Sequence, residues 1–108
     1  MHSGFHNLTP HAVTVGGVVI PPSGQIARVA VTRTPCGTHN GVPLFLPEFG
    51  EVVGLPAPVS GVIFVVSALV RGQVPNRGDV ASPGNLLRDG SGNVIGADGL
   101  DVNAGVVL

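Results

Sequence analysis

The sequence predicts an all-β fold, or a β-dominated one with one short helix: a small sandwich or barrel of about six to eight short strands. Two observations lead there. Short Val- and Ile-rich runs recur along the 108 residues, and 17 Gly and 10 Pro punctuate them. So many breakers would signal disorder if the segments between them were polar, but here those segments are apolar. The third observation is that only one stretch, Ser67 to Gln73, has the marks of a helical turn. Ser67 is available there as N-cap and Gly72 lies near the end.

Taken in order, the expected strands begin with Ala12–Val15 and Val18–Ile20. Pro21-Pro22-Ser23-Gly24 fits a turn in which proline presets φ and glycine takes the positive-φ position. It predicts a hairpin between Val18–Ile20 and Gln25–Thr32. Incomplete alternation in Gln25–Thr32 suggests a strand packed on both sides for part of its length. Val42–Leu46 and Glu51–Val53 read as two further strands, and Gly54 to Gly61, with Pro56 and Pro58, reads as a connector across a sheet end. Val62–Val66 is a continuous β-branched and aromatic run, the pattern of a strand buried on both faces. Asp89-Gly90-Ser91-Gly92 between Leu86-Leu87 and Val94-Ile95 is a second hairpin signal. From about Gly96 the chain reads as a tail or a late edge strand, with a last apolar run at Val106–Leu108. Residues 1–108 form one domain, with 1–5 and about 101–108 expected to be flexible.

Composition narrows the function classes. Charged residues make up 10% of the chain, against about 25% in an average soluble domain. Such a neutral surface favours self-association, and a homo-oligomer is expected. A GC-rich genome would yield the same composition unaided, since Lys and Tyr are absent while Ala, Gly, Val and Pro abound. The net charge of −1 and pI near 6.4 speak against nonspecific nucleic-acid binding. The apolar runs fall short of the roughly 18 residues a membrane span needs, so no membrane association is expected despite a mean hydropathy of +0.47. Met1-His2-Ser3-Gly4-Phe5 lacks the basic start and apolar stretch of a secretory signal, which points to a cytoplasmic location. The single cysteine, Cys36, has no partner for a disulfide or a structural zinc site.

The polar residues that stand out are Ser67, Arg71 and Arg77, which follow the apolar Val62–Val66 run, and Thr9 and His11 near the start. A hydroxyl and two planar guanidinium forks delivered by a rigid strand suit phosphate or carboxylate. The competing structural roles are an Arg77–Asp79 ion pair, an Arg88–Asp89 ion pair, and an Asn7–His11 turn in which Asn7 and Thr9 satisfy the backbone. The four histidines, His2, His6, His11 and His39, show no metal-ligand spacing, so no metal site and no cofactor are expected. Ser67 lacks the GxSxG elbow of a nucleophile, and Cys36 with His39 three residues on is a weak candidate dyad.

Asn7-Leu8-Thr9-Pro10-His11 resembles the opening of a family of uncharacterised small bacterial and phage proteins. The resemblance continues through Pro22-Ser23-Gly24, Ala27-Arg28-Val29, Glu51 to Pro58, Phe64 to Leu69, Arg77 with Asp79 and Pro83, and Arg88 to Leu100. It implies a phage or prophage context, and through that context a nucleotide signal of bacterial immunity as the ligand. The leading expectation is therefore a non-enzymatic, homo-oligomeric protein that captures a small anionic, nucleotide-like ligand through Ser67, Arg71, Arg77, His11 and Thr9. The alternatives are a structural or assembly protein of a virion or other complex, and a small hydrolase or isomerase.

Overall fold

The computed structural model describes residues 4–104 and is strand-dominated. Its elements, in chain order, are β1 (Gly4–Asn7), β2 (Val13–Val15), β3 (Val18–Ile20), β4 (Arg28–His39), β5 (Val42–Val53), β6 (Val62–Val65), α1 (Ala68–Gln73), β7 (Val80–Pro83), β8 (Leu86–Arg88), β9 (Val94–Ala97) and β10 (Leu100–Val102). They form two four-stranded sheets, β1-β6-β7-β10 and β3-β2-β9-β8, and a two-stranded ribbon of β4 and β5. The ten strands exceed the six to eight expected because the glycine-rich second half supplies four short ones. His2 and the Val106–Leu108 run lie outside the described residues.

β6 is the central strand of the first sheet. It pairs in parallel with β1 on one side and with β7 on the other, and β10 closes the far edge antiparallel to β7. Its apolar run is explained by what each face meets. Phe64 and Val66 join Leu8, Ala27, Val29, Val70 and Val80 in one cluster, whereas Val65 packs with Val13 and Ile20 on the opposite side. Successive side chains of a strand point to opposite faces, so a strand covered twice must be apolar at every position. Burial of Phe64, Val65 and Val66 contributes roughly 1.5–3 kcal/mol each.

The helix forms where Ser67 caps it. Ser67 is extended (φ −69°, ψ 158°) and its Oγ accepts a 3.2 Å hydrogen bond from the Val70 amide. One buried side chain, Val70, fastens α1 to the core.

Several connections differ from the expectation. β3 does not form a hairpin with the segment after Pro21-Pro22; it pairs with β2 across Gly16-Gly17. The prolines instead carry the chain alongside the end of β1, where the Ser23 amide donates to the Asn7 carbonyl and the Ala27 amide to that of Leu8. The two strands expected within residues 42–53 are one 12-residue strand, and its partner β4 is equally long. Asn40 and Gly41, both at positive φ (49° and 79°), make the two-residue turn between them, the geometry that matches strand twist. Gly4 and Phe5, and Asp101 and Val102, expected at flexible ends, are paired in β1 and β10. The Leu86–Ile95 hairpin forms as expected, as β8 and β9.

The end of β1 is fixed by one side chain. Asn7 is 1% exposed, and its Nδ2 donates to the carbonyls of His11 (2.9 Å) and Ile20 (3.0 Å). Its Oδ1 accepts from the Thr9 amide (2.9 Å) and the Thr9 hydroxyl (2.7 Å). Both donors and both lone pairs of the amide are thus used. Replacing Asn7 with Ala leaves these buried groups without partners, and urea denaturation is expected to show a loss of about 2–4 kcal/mol.

Candidate functional site

Three strands run in the same direction, so their carboxyl ends share one edge of the sheet. Thr9 and His11 follow β1 at that edge and Ser67 follows β6, with Arg71 one turn into α1. In doubly wound α/β sheets ligands are held outside the carboxyl ends of the parallel strands, at the point where strand order reverses. The fold thus brings three of the five expected residues, Thr9, His11 and Ser67, to one end of the sheet. The two guanidinium groups lie elsewhere: Arg71 reaches along β7 to Ser82 and to Asn103 just past β10, and Asn103 also meets the carbonyl of Arg77, which precedes β7.

Each residue has defined partners. The Thr9 hydroxyl, besides its contact with Asn7, lies 2.9 Å from the His11 carbonyl. The His11 main chain is therefore part of the turn, while its side chain is at an exposed position. Ser67 Oγ accepts from Val70 and retains its own proton for donation. Arg71 is half-buried; its Nε donates to Ser82 Oγ (2.8 Å) and its Nη1 to Asn103 Oδ1 (3.2 Å). Asn103 in turn faces the carbonyls of Arg71, Val74 and Arg77 with its Nδ2, so it braces the helix and the loop after it.

Arg77 is used within the fold. Its Nε and Nη2 donate to the two carboxylate oxygens of Asp79 at 2.8 and 2.9 Å, and Nη2 also reaches the Pro56 carbonyl at 3.0 Å. The hydrogen bonds from Arg77 hold the Asp79 carboxyl below its ordinary range, and those to Asp79 raise the Arg77 guanidinium; burial opposes both shifts. The expected Arg88–Asp89 pair is not formed. Arg88 donates to the Gly92 carbonyl, and Asp89 accepts from the amides of Asn93 and Ser91, which lower its pKa.

Cys36 and His39 both lie on β4, far along the ribbon, and no hydrogen bond joins them. Among the described residues, no group of three or more His, Cys, Asp or Glu converges as a metal site. Two open clefts flank β1. One, of about 420 Å³, is lined by Phe5, His6, Gln25, Pro56 and Phe64 among others, with the His6 ring edge-on to Phe64 at 5.7 Å. The other, of about 390 Å³, is lined by Thr9, Pro10, Pro22, Ser23, Gly24 and Ile26. Neither includes Arg71.

A scan against family models and searches of curated proteins and solved structures found no match. The residues that sequence reasoning missed are Ser82 and Asn103, which orient Arg71. Asn103 lies 32 positions from Arg71, and no local pattern signals such a contact.

The Arg77–Asp79 pair sets a pH dependence. Asp79 has a lowered folded pKa, so its contribution is complete above its unfolded value, near 3.9, and is lost as pH falls through the folded value. The side chains are 24% and 18% exposed, and the bidentate pair is worth about 1–2 kcal/mol. Urea denaturation is expected to show Asp79→Asn less stable than wild type by that margin at pH 7, with the gap narrowing at pH 3.

Proposed function

We propose that this chain is a non-enzymatic binding protein that self-associates and captures a small anionic, nucleotide-like ligand through Arg71, beside β7, with Ser67, Thr9 and His11 at the ends of β6 and β1. The observation that carries this reading is the state of Arg71. Its guanidinium is half-buried and held by two neutral groups, Ser82 and Asn103, and the ion pair found among the described residues belongs to Arg77 and Asp79. A cation fixed in direction without a carboxylate partner is suited to a bidentate anion. Of Arg71's five donors, two are used by these contacts, which leaves donors for a phosphate or carboxylate. Ser67 offers a hydroxyl proton at the start of the helix that carries Arg71, and Thr9 and His11 stand at the end of the adjacent strand β1. Arg77, closed by Asp79, serves as a strut beneath the Pro56 connector rather than as a ligand contact.

The resemblance of Asn7–His11 and the later segments to small bacterial and phage proteins supports a phage or prophage setting, in the cytoplasm of the bacterial host. In that setting, capture of a nucleotide signal would keep it from its receptor. No helix among the described residues is long and apolar enough to cross a membrane. The second reading is a structural or assembly protein, and one observation favours it: the β4–β5 ribbon is exposed and rich in large apolar side chains.

Native mass spectrometry of protein purified from a bacterial host, followed by calorimetric titration with mononucleotides and cyclic dinucleotides, separates the two. Under the binding reading, a retained mass is released chemically intact, and Arg71→Gln weakens uptake at least tenfold without altering subunit number. An unliganded assembly whose subunit number changes in Arg71→Gln, and which takes up none of these nucleotides, would overturn the binding reading in favour of assembly.

A further inference from the structure

We infer that the β4–β5 ribbon is a self-association arm whose two faces are buried by a second copy of this chain. The inference rests on the self-association part of the preceding reading and assigns it to one element. The ribbon is rooted in the core only at its base, where Val29 is buried and its cross-strand partner Val52 packs against the same cluster. Beyond that base every residue from Ala30 to Glu51 is exposed. The consequence is visible in the dimensions. The radius of gyration is 16.4 Å and the principal extents are 53 × 39 × 26 Å, whereas a compact domain of this length has a radius of gyration of about 13 Å.

The register assigns the side chains to faces, since directly opposed residues lie on the same face. Val31 opposes Phe49, Arg33 opposes Pro47 and Pro35 opposes Phe45 on one face; Thr34 opposes Leu46 on the other, where alternation along β5 also places Leu44 and Val42. Each face thus presents three large apolar side chains: Val31, Phe45 and Phe49, and Val42, Leu44 and Leu46. They are 39% to 58% exposed. A lone two-stranded ribbon is marginal in water at best, and one with both faces apolar lacks the polar side that would solvate it. Together the six side chains expose an area on the order of 500 Å², about half of it on each face and in sum more than half of the roughly 800 Å² each partner contributes to a stable interface.

The charge pattern identifies the occupant. Between Ala30 and Gly50 the formal charges are Arg33 and Glu48, one on each face, and Arg33 lies over the Phe45 ring at 4.0 Å, where its stem extends the apolar surface. A surface so neutral calls for a neutral partner. This chain is one: 10% of its residues are charged, and Val18, Val19, Leu86, Leu87, Val94 and Ile95 on the β3-β2-β9-β8 sheet are exposed apolar side chains as well. Pro35, Pro43 and Pro47 remove backbone donors from the ribbon, which opposes open-ended pairing along its edges and leaves its faces as the contact.

Two measurements on the full chain test this. Sedimentation velocity across a concentration series is compared between wild type and the double substitution Phe45→Asp with Leu46→Asp, one change on each face, with circular dichroism confirming the fold. In parallel, the reaction of Cys36, the chain's single cysteine and a residue of the arm, is timed with a chromogenic disulfide reagent. The expected result is a wild-type oligomer in which Cys36 reacts at least tenfold more slowly than after dilution to monomer, and a folded double variant with assembly weakened at least 100-fold and Cys36 fully reactive. Should the double variant fail to fold, the concentration dependence of Cys36 in the wild type decides alone. An assembly that persists in a folded double variant, or one in which Cys36 stays fully reactive, overturns the arm and leaves self-association standing. A wild type that remains monomeric at 100 µM or above overturns both.

Discussion

The Asn7 side chain joins three stretches that have no other reason to meet: the end of β1, the turn through Thr9 to His11, and the end of β3 at Ile20. Its buried amide meets no water, so every hydrogen bond it lacked would be a full desolvation cost. With Asn7 in place, Leu8 follows into the core with its amide on the Val65 carbonyl, and the Pro22–Ala27 segment runs along the other side. The β6 strand can then be covered on both faces. The polar link and the apolar core are therefore one construction: the amide sets where the chain turns, and the turn sets which side chains are buried.

With five arginines and no lysine, the fold makes distinct use of four of the cations it has. Arg77 and Asp79 neutralise each other across two residues and hold Pro56. Arg71 is oriented by two neutral groups, Ser82 and Asn103. Arg33 lies on Phe45, and Arg88 closes a turn through Gly92. Residue type alone does not separate these roles; the partner does. A guanidinium closed by a carboxylate in bidentate geometry is stabilised as a pair, whereas one held only by a hydroxyl and an amide retains its field.

The β4–β5 ribbon departs from the economy of the rest. The buried side chains converge on two clusters on either side of β6, while the ribbon carries phenylalanine, leucine and valine into water along its whole length beyond the base. Its turn, register and root are well defined, so it is a built element rather than a loose loop. The ribbon is rooted at Val29 and Val52, whereas Thr9, His11 and Ser67 lie at the ends of β1 and β6.

Patterns carried by neighbouring residues were legible in the sequence. The β-dominated fold, the doubly covered Val62–Val66 strand, the Ser67 cap with its short helix and the Asp89–Gly92 hairpin each depend on propensity, period or turn chemistry within about ten residues. The candidate edge was legible in part: Ser67 and Arg71 are local to one strand end, and the Asn7–Thr9 contacts lie within one turn. Tertiary structure decided what depends on distant partners. It paired β3 with β2 instead of with the segment after the prolines, and it merged two apparent strands into β5 because β4 offered an unbroken partner across Pro43, Pro47 and Gly50. It also gave Arg77 to Asp79 while Ser82 and Asn103, 11 and 32 positions away, took Arg71. Sequence fixes the donors, acceptors and apolar faces each segment carries; which of them meet depends on chain paths whose closure is set by the whole core at once.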